Sequence, residues 1–417
     1  MSRKMKDSGI EWIGEIPEDW EIVKVKNIFN NHKNIVCEKE NEYERLALTL
    51  NGVIKRSKED SKGLQSESFS TYQIIYENDL VFKLIDLENV NTSRVGKSPY
   101  TGIVSPVYII LSNERESAFG YYYFLSLWHR EIFNKLGGNG VRSALNLNDL
   151  NNLPYPQFDT RMKKYVAEYL DIHCTLIDQT IEKQKLVIEK LNYYRTSLIS
   201  EMMSQNQICD EEYKYCHLGF LGNMKNGANF ASNLEESEIA FLGVGDFKNN
   251  MILNRIDMFS TLNIASDSLS QEDYLKDGDI VFVRSNGSKE LVGRSVLIEN
   301  ITYPLIYSGF CIRFRNNRSD IIDNKYLLYF FKSNQFRQIL NLESRGSNIS
   351  NLSQDMLAKI RIEFPSIISQ KQIVKYLDTK YIDIENAIGK KKETLEKLES
   401  YKKSLIYECV TGKREVN

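Results

Sequence analysis

One long stretch occurs twice in this chain and constrains its fold more than any other feature. Residues Tyr169–Glu201 recur as Tyr376–Glu408, displaced by 207 residues and aligned without a gap. Both copies begin with Tyr-Leu-Asp, continue with a shared Glu-Lys-Leu and carry Ser-Leu-Ile near their ends. A repeat of this length within 417 residues predicts two tandem structural units.

Each copy of the repeat carries a heptad pattern. The predicted apolar seam consists of Leu170, Ile177, Ile181, Ile188, Leu191 and Leu198 in the first copy, and of Leu377, Ile384, Ile388, Leu395, Leu398 and Leu405 in the second. Two seam positions are polar in both copies, Gln184 with Lys391 and Arg195 with Lys402. A seam with a period of about 3.5 residues predicts a long coiled-coil helix, in which polar seam residues can fix the register. The alternative is that each helix packs independently on its own domain.

The repeat predicts an α+β protein with two globular mixed α/β domains, separated by two long antiparallel coiled-coil helices about a pseudo-two-fold axis. The predicted division along the chain is a docking segment at 1–20, a globular domain at 21–160, a central helix at 161–210, a second globular domain at 211–366 and a C-terminal helix at 367–417. Two such domains held about one turn of duplex apart, ~34 Å or a multiple, would suit the reading of two half-sites.

Both globular regions follow one plan, in which β-rich runs precede an aromatic helix and a polar turn. The predicted strands are Leu46–Leu50, Gln73–Tyr76, Leu80–Leu84 and Val104–Leu111, then Ile239–Val244, Ile280–Val283, Arg294–Ile298 and Phe310–Phe314. The predicted helices are Tyr121–Leu136 and Tyr326–Leu340. Three short stretches match in order: Asn78–Phe82 with Gly278–Phe282, Val95-Gly96-Lys97 with Val292-Gly293-Arg294, and Asn146-Leu147 with Asn351-Leu352.

Composition constrains the cellular compartment and the kinds of partner expected for the chain. No apolar run approaches the ~18 residues of a membrane span, and the first residues do not form a signal peptide. The six cysteines include no CxxC pair, which favours reduced thiols in a cytoplasmic protein. Cys209, Cys216 and His217 lie close together in sequence, but their spacing is not typical of a zinc site. The net charge of −2 means that any nucleic-acid contact must rely on local basic residues or on partner chains.

Motifs for catalysis are incomplete. Phe241–Gly245 imitates the F-x-G-x-G of adenine methyltransferases, and Asn152–Tyr155 imitates their N-P-P-Y but lacks the first proline. The second motif also precedes the first, with a long helix between them, so one βαβ unit cannot join them. We therefore interpret Phe241–Asp246 as a strand followed by a turn and the chain as non-catalytic. A self-sufficient DNA methyltransferase remains an alternative.

The candidates for nucleic-acid contact are loop residues at equivalent places in the two globular domains. Arg, Lys, Asn and Ser side chains can bind phosphates or base edges. The candidates are Lys83, Asn91, Arg94, Lys97 and Arg142 in the first domain, and Arg284, Ser285, Asn286, Ser288, Lys289, Arg294 and Arg345 in the second. For any single residue, a solvated hairpin tip is an equal alternative.

Taken together, these features resemble the specificity (S) subunits of type I restriction-modification enzymes over nearly the whole chain. Asp7–Trp20 is similar to the N-terminal segment of that family, and Gly278–Ser288 resembles a motif of its target-recognition domains. The two seams resemble its shared helical regions, and Val410–Lys413 resembles its usual chain end. The first domain departs from the family motif, because Phe82–Asp86 stands where the second domain has its Arg-Ser-Asn-Gly-Ser run.

The resemblance implies that each globular domain is a target-recognition domain for one half of a bipartite, asymmetric double-stranded DNA sequence. It also implies that the helices set the spacer length and bind two methyltransferase (M) subunits, which bring S-adenosylmethionine and the catalytic N-P-P-Y. Two restriction (R) subunits, translocases using ATP and Mg, would complete a nuclease complex. The chain itself would hold no cofactor or metal, and no membrane partner is expected. A methylation-only complex and a protein-binding coiled-coil adaptor are the alternatives.

Overall fold

The computed structural model describes residues 3–59, 68–88, 92–137, 144–204, 212–229, 238–247, 250–264, 269–343 and 351–416. The chain forms two compact units. Unit 1 comprises Met1–Gln184 with Lys392–Asn417, and unit 2 comprises Lys185–Lys391. Each unit therefore contains one globular region and parts of both long helices.

In its described residues, the first globular region contains short strands and three helices, and the first long helix follows. Its strands are β1 Met5–Asp7, β2 Glu15–Pro17, β3 Glu21–Lys24, β4 Asn30–Asn31, β5 Asn34–Ile35, β6 Leu46–Thr49, β7 Gly52–Lys55, β8 Gln73–Ile75, β9 Leu80–Phe82, β10 Val95–Lys97, β11 Gly102–Val104, β12 Ile109–Ser112 and β13 Pro154–Gln157. Its helices are α1 Ser117–His129, α2 Ile132–Leu136 and α3 Leu147–Asn151, followed by α4 Thr160–Met203. Short 3-10 helices occupy Val25–Asn27 and Cys37–Asn41.

The second globular region repeats this order. Its strands are β14 Lys214–His217, β15 Gly222–Asn226, β16 Glu238–Leu242, β17 Ile252–Leu253, β18 Ser260–Asn263, β19 Ile280–Val283, β20 Ser295–Ile298, β21 Leu305–Tyr307, β22 Cys311–Asn316 and β23 Arg361–Phe364. Its helices are α5 Leu218–Leu221, α6 Asn324–Lys332, α7 Asn334–Glu343 and α8 Gln354–Lys359, followed by α9 Ile367–Val410. Its 3-10 helices include Val244–Asp246, Ile256–Met258, Gln271–Asp273 and Lys289–Leu291.

The main sheets of the two units share a strand order. It is β4-β12-β9-β10 in unit 1 and β15-β22-β19-β20-β17 in unit 2. In each unit an antiparallel pair also joins the first strand of the globule proper to the strand that precedes the long helix, β3 with β13 and β14 with β23. The smaller sheets differ: β11-β8-β5 is antiparallel, whereas β16 and β21 pair in parallel. The duplication therefore extends to four strands of the main sheet, and the divergence lies in the added parallel strand β17 and in the smaller sheets.

A buried aspartate shapes the turn before the central strand of each sheet. Asp79 and Asp279 accept from backbone N–H groups three residues earlier, at 2.8 and 2.7 Å. The preceding residues, Asn78 and Gly278, have φ of +71° and +86°. Glycine and asparagine tolerate this left-handed conformation better than other residues. The sequence match of Asn78–Phe82 with Gly278–Phe282 is thus confirmed by equal turn geometry.

Equivalent contacts attach each globule to the long helix that follows it. The Tyr122 hydroxyl donates to Asp171 at 2.6 Å, and the Tyr329 hydroxyl donates to Asp378 at 2.7 Å. Both members of each pair are displaced by the 207 residues of the repeat. A T-shaped pair of rings recurs as well, Phe82 with Phe124 at 4.9 Å and Phe282 with Phe331 at 4.8 Å. The repeat therefore preserves a helix-to-globule joint as well as a helix sequence.

The long helices pack against each other within each unit. In unit 1 the cluster that includes Leu170, Ile177 and Ile181 of α4 also includes Leu405 of α9. Tyr169 of α4 is hydrogen-bonded to Arg414, just beyond the end of α9, and Asp178, further along α4, contacts Lys402, which lies earlier in α9. The two helices therefore run antiparallel. In unit 2 the cluster with Leu198 of α4 also includes Leu377 of α9. Because α9 follows the second globule and ends in the core of unit 1, the alternative of independent packing is wrong.

The polar seam residues Arg195 and Lys402 form a repeated ion pair. Arg195 of α4 pairs with Glu385 of α9, and Lys402 of α9 pairs with Asp178 of α4 at 2.6 Å. All twelve predicted apolar seam residues are buried or half-buried. The coiled-coil prediction is therefore confirmed, and two of its polar exceptions have charged partners on the facing helix.

The N-terminal segment packs within unit 1. Ile13, Ile16 and Trp20 are each 1% exposed. The carbonyl of Ile13 accepts from the Tyr407 hydroxyl at 3.1 Å and from Lys413 Nζ at 3.0 Å. The segment predicted to dock thus lies against the end of α9 and the residues after it.

Two of the short sequence matches are wrong in register. Val95 pairs with Phe82 and Ser295 pairs with Phe282, so Arg94, not Lys97, corresponds to Arg294. Leu145 and Leu352 donate to equivalent carbonyls, Leu84 and Arg284, so Asn146 corresponds to Ser353 rather than to Asn351. Both Asn146 and Ser353 are N-caps, of α3 and α8.

Three predicted elements are divided in the structure. The predicted strand Val104–Leu111 is two strands, β11 and β12. The predicted aromatic helices are α1 with α2 and α6 with α7. Strand Ile280–Val283 has the predicted bounds.

Candidate nucleic-acid interface

The loop between β19 and β20 in unit 2 is the clearest candidate surface. It is closed at its base by hydrogen bonds from Val283 N–H to the Arg294 carbonyl at 2.8 Å and from Gly293 N–H to the Val283 carbonyl at 2.9 Å. Gly293 has a φ of +81°, and an added Cβ would lie 2.5 Å from Leu340 Cδ1. Only glycine fits this corner without displacement, so the sequence forces a tight return into β20.

The side chains along this loop are held by the backbone. Arg284 is half-buried, and its guanidinium donates to the Gly309 carbonyl at 3.4 Å. The backbone of Ser285 forms an isolated β-bridge with Asn351, and the Asn286 Oδ1 accepts from the Ser288 N–H at 2.8 Å. Ser288 is exposed. The loop thus presents short polar groups and one arginine on a fixed frame, which suits hydrogen bonding to base edges or phosphates.

Arg294 lies at the end of this loop and turns toward the helices. It lines a cavity with Arg195 of α4 and Lys332 of α6. The Lys332 ammonium donates to the Ser295 carbonyl at 2.5 Å. Burial, together with the charges of Arg294 and Arg195, lowers the pKa of Lys332 to about 8. The arginine predicted at the loop therefore belongs to a cationic cluster beneath it.

The equivalent loop of unit 1 differs in its use of arginine. Arg94 was a predicted contact residue, but its side chain is 0% exposed. Its guanidinium donates to the carbonyls of Ile85 at 3.2 Å and Asp86 at 2.6 Å. Burial lowers the pKa of Arg94, and the nearby Asp86 partly offsets that effect. In this conformation the Arg94 guanidinium binds carbonyl groups of its own loop, and its contact with nucleic acid stays a prediction.

The remaining candidates of unit 1 are partly accessible or lie outside the described residues. Lys83 and Lys97 are half-buried, and burial followed by the charge of Arg94 lowers the pKa of Lys83. Asn91, Arg142 and Arg345 lie outside the described residues, as does the side chain of Lys289. Their contact with nucleic acid stays a prediction.

Sequence reasoning missed three side chains beside these loops. Phe310 is 55% exposed, and its carbonyl accepts from the Arg284 N–H at 2.7 Å, so an aromatic face lies next to the loop base. Lys332 and Arg195 were not recognised as neighbours of Arg294. Arg195 could have been recognised because it interrupts the apolar seam. Nothing in the sequence around Lys332, at the end of an apolar helix, indicated that it lies near Arg294.

The methyltransferase-like motifs have structural roles. Phe241 and Leu242 end β16, and a 3-10 helix at Val244–Asp246 follows, which confirms the predicted strand and turn. Tyr155 is 0% exposed, and its hydroxyl donates to Glu116 at 2.9 Å. Because burial, followed by the charge of Glu116, raises the pKa of Tyr155, this group is a neutral core residue.

Within the described ranges, no three His, Cys, Asp or Glu side chains are arranged to hold a metal ion, and Cys209 is outside those ranges. No described helix is long and apolar enough to cross a membrane.

Comparisons with known proteins agree on one family. The family model described as "Type I restriction modification DNA specificity domain" matches residues 210–397. The MjaVIII type I restriction enzyme specificity subunit of Methanocaldococcus jannaschii is 25% identical, over 96% of this chain and 94% of its own length. The EcoKI specificity subunit of Escherichia coli is 24% identical over 40% of this chain and 35% of its own.

Solved structures give the same fold. A chain from a study entitled "Structural basis underlying complex assembly and conformational transition of the type I R-M system" matches with a TM-score of 0.74 at 14% identity, over 96% of this chain and 99% of that one. The HsdS subunit of Thermoanaerobacter tengcongensis matches with a TM-score of 0.54 at 15% identity, over 96% and 98%.

Proposed function

We propose that this chain is a type I restriction enzyme specificity subunit, because a family model, curated relatives and solved structures of that class resemble it. In this proposal its two globules read the two halves of a bipartite, asymmetric DNA sequence. In this proposal the chain also carries the other subunits of a restriction-modification complex. It performs no catalysis itself.

One observation carries the proposal: the two units share a frame but differ at the loop that the frame presents. The aspartate turns, the tyrosine–aspartate joints and the order of the main sheet recur. The loop after the central strand does not, because Arg94 is buried in its own loop whereas Arg294 lies in a cavity. A common frame with unlike loops is what two readers of unlike half-sites require.

The long helices would set the number of base pairs between the half-sites. Each contains 44 residues. At ~1.5 Å per residue such a helix is about 66 Å long, which is enough to separate two DNA-binding surfaces by more than one turn of duplex. The ion pairs of Arg195 and Lys402 would hold the helices in register and so fix that spacing.

The same proposal includes protein partners for this chain. Two methyltransferase subunits would bind the long helices and bring S-adenosylmethionine with the catalytic motif that this chain lacks. Two restriction subunits would add ATP-driven and Mg-dependent steps. The net charge of −2 supports a shared grip on DNA, because partner chains can supply positive charge that this chain lacks.

Single-molecule methylome sequencing tests the proposal. A host that carries this gene with its methyltransferase gene should show methylated adenines in one bipartite motif with a fixed spacer. The methyltransferase gene alone is the control and should give no such motif. An uninterrupted motif, or the same motif without this chain, would contradict the proposal.

A further inference from the structure

Three basic side chains from three elements of unit 2 converge on one cavity. Arg195 comes from α4, Arg294 directly precedes β20, and Lys332 ends α6. The cavity has a volume of about 190 Å³. Thr196, Asn250 and Tyr381 also line it, so hydroxyl and amide groups stand among the cations.

The described residues that line this cavity include three cations. Among its described lining residues none is acidic, and Glu385 pairs with Arg195 next to it. Arg337 adds a further cation nearby: its guanidinium donates to the Val292 carbonyl at 2.8 Å, and its pKa is lowered by burial and then by Arg294. Burial, then Arg294 and then Arg195 lower the pKa of Lys332. Like charges brought together in a partly buried place repel one another, and an anion bound among them would offset that repulsion.

Unit 1 offers a comparison within the same chain. At the repeat spacing Lys402 replaces Arg195 and keeps an acidic partner, Asp178. Leu125, which is 7% exposed, occupies the position of Lys332. Arg94 occupies the position of Arg294 but is bound within its own loop. The cationic cluster therefore belongs to unit 2 and is not a requirement of the shared fold.

We propose that Arg195, Arg294 and Lys332 form a binding site for a tetrahedral oxyanion of the phosphate class. Arginine and lysine bind such groups through charge-assisted hydrogen bonds. Because Arg294 ends the candidate DNA-contact loop, one source of the group is a backbone phosphate of bound duplex. The other is free inorganic phosphate. The chemistry of the site is the same for both.

The first arm of the test uses the full-length chain without DNA. Millimolar sulfate or phosphate should raise the melting temperature above that seen in chloride of equal ionic strength. Lys332→Met and Arg294→Gln should each remove this added stabilisation. Lys402→Met removes the unit 1 counterpart of Arg195, and this variant should retain the added stabilisation. Low concentrations keep the general salting-out effect of these anions small.

The same melting-temperature measurements can refute the proposed anion site. If sulfate and phosphate act no more strongly than chloride on the parent chain, or equally on the parent and on Lys332→Met, there is no such site. Lys332→Gln provides a second variant if the Met variant does not fold.

The second arm separates the two sources and rests on the proposed function. It measures binding of the complex with methyltransferase to target duplex as salt is raised. With a DNA source, Lys332→Met should reduce the slope of log affinity against log salt by about one, and phosphate should compete with duplex. With a free-phosphate source the slope should stay unchanged while the first arm still succeeds. Failure of all duplex binding by the parent complex would refute the proposed function but leave the first arm intact.

Discussion

The joint between each globule and its long helix can be tested by removing one hydroxyl group. Tyr329→Phe deletes the donor to Asp378, a bond of 2.7 Å, and Tyr122→Phe deletes the equivalent bond of 2.6 Å to Asp171. A hydrogen bond to a charged acceptor contributes about 1.5–3 kcal/mol when its groups are removed from water.

The exposure of the two acceptors sets the expected size. Asp171 is exposed and can be hydrated once its partner is gone, so Tyr122→Phe should cost about 1 kcal/mol. Asp378 is half-buried, although Lys325 Nζ lies 3.6 Å from it and remains as a partner. Tyr329→Phe should therefore cost about 1–2 kcal/mol.

Urea unfolding of the two variants, and a double-mutant cycle of Tyr329→Phe with Asp378→Ala, measure these values. Tyr326→Phe is a matched control on the same helix, because its hydroxyl lies 3.5 Å from the Glu363 carbonyl and should contribute less than about 0.5 kcal/mol. Strictly additive effects of Tyr329→Phe and Asp378→Ala would refute the reasoning, because independent residues show no coupling energy.

Three further predictions follow from the charges and helices. The pKa of Lys332 is lowered from 10.5 to about 8, so the folded protein binds fewer protons than the unfolded chain between these values. The free energy of unfolding should rise with pH in that window in the parent protein but not in Lys332→Met. The stabilisation by sulfate should weaken as the pH rises through 8. Parallel pH profiles of the parent and the variant would contradict this prediction. Arg195→Glu and Glu385→Arg should each lower the free energy of unfolding, and the double variant, in which the pair is reversed, should regain about 1 kcal/mol of that loss. If the double variant regains nothing, the two side chains do not interact directly. Inserting one heptad into each long helix should lengthen the spacer seen in methylome sequencing and leave both half-sites unchanged; an unaltered spacer would exclude the helices as its determinant.

The sequence predicts the duplicated frame well, because the frame depends on periodic and local features. A heptad seam is visible in residue spacing, and a turn with Asn78 or Gly278 before aspartate needs only a left-handed residue and a carboxylate. The tyrosine–aspartate joints became visible only in the structure, because their partners are separated by 49 residues.

The sequence does not predict how the candidate contact side chains are placed, because their placement depends on how the loops fold. Arg94 and Arg294 occupy equivalent ladder positions, yet one guanidinium is captured by loop carbonyls and the other lies in a cavity. Residue type does not distinguish these outcomes. Lys332 was missed for a similar reason: its neighbours Arg195 and Arg294 are distant in sequence and meet it only through packing.

Exchange of one globule is the most direct measurement of the central claim. Residues 21–160 are replaced by the corresponding region of a known type I specificity subunit, and the methylome of a host carrying the hybrid together with the methyltransferase gene is sequenced. Two separate readers on one frame predict that one half-site changes while the other half-site and the spacer stay the same. Methylation by the hybrid complex at a motif with both half-sites altered would contradict it.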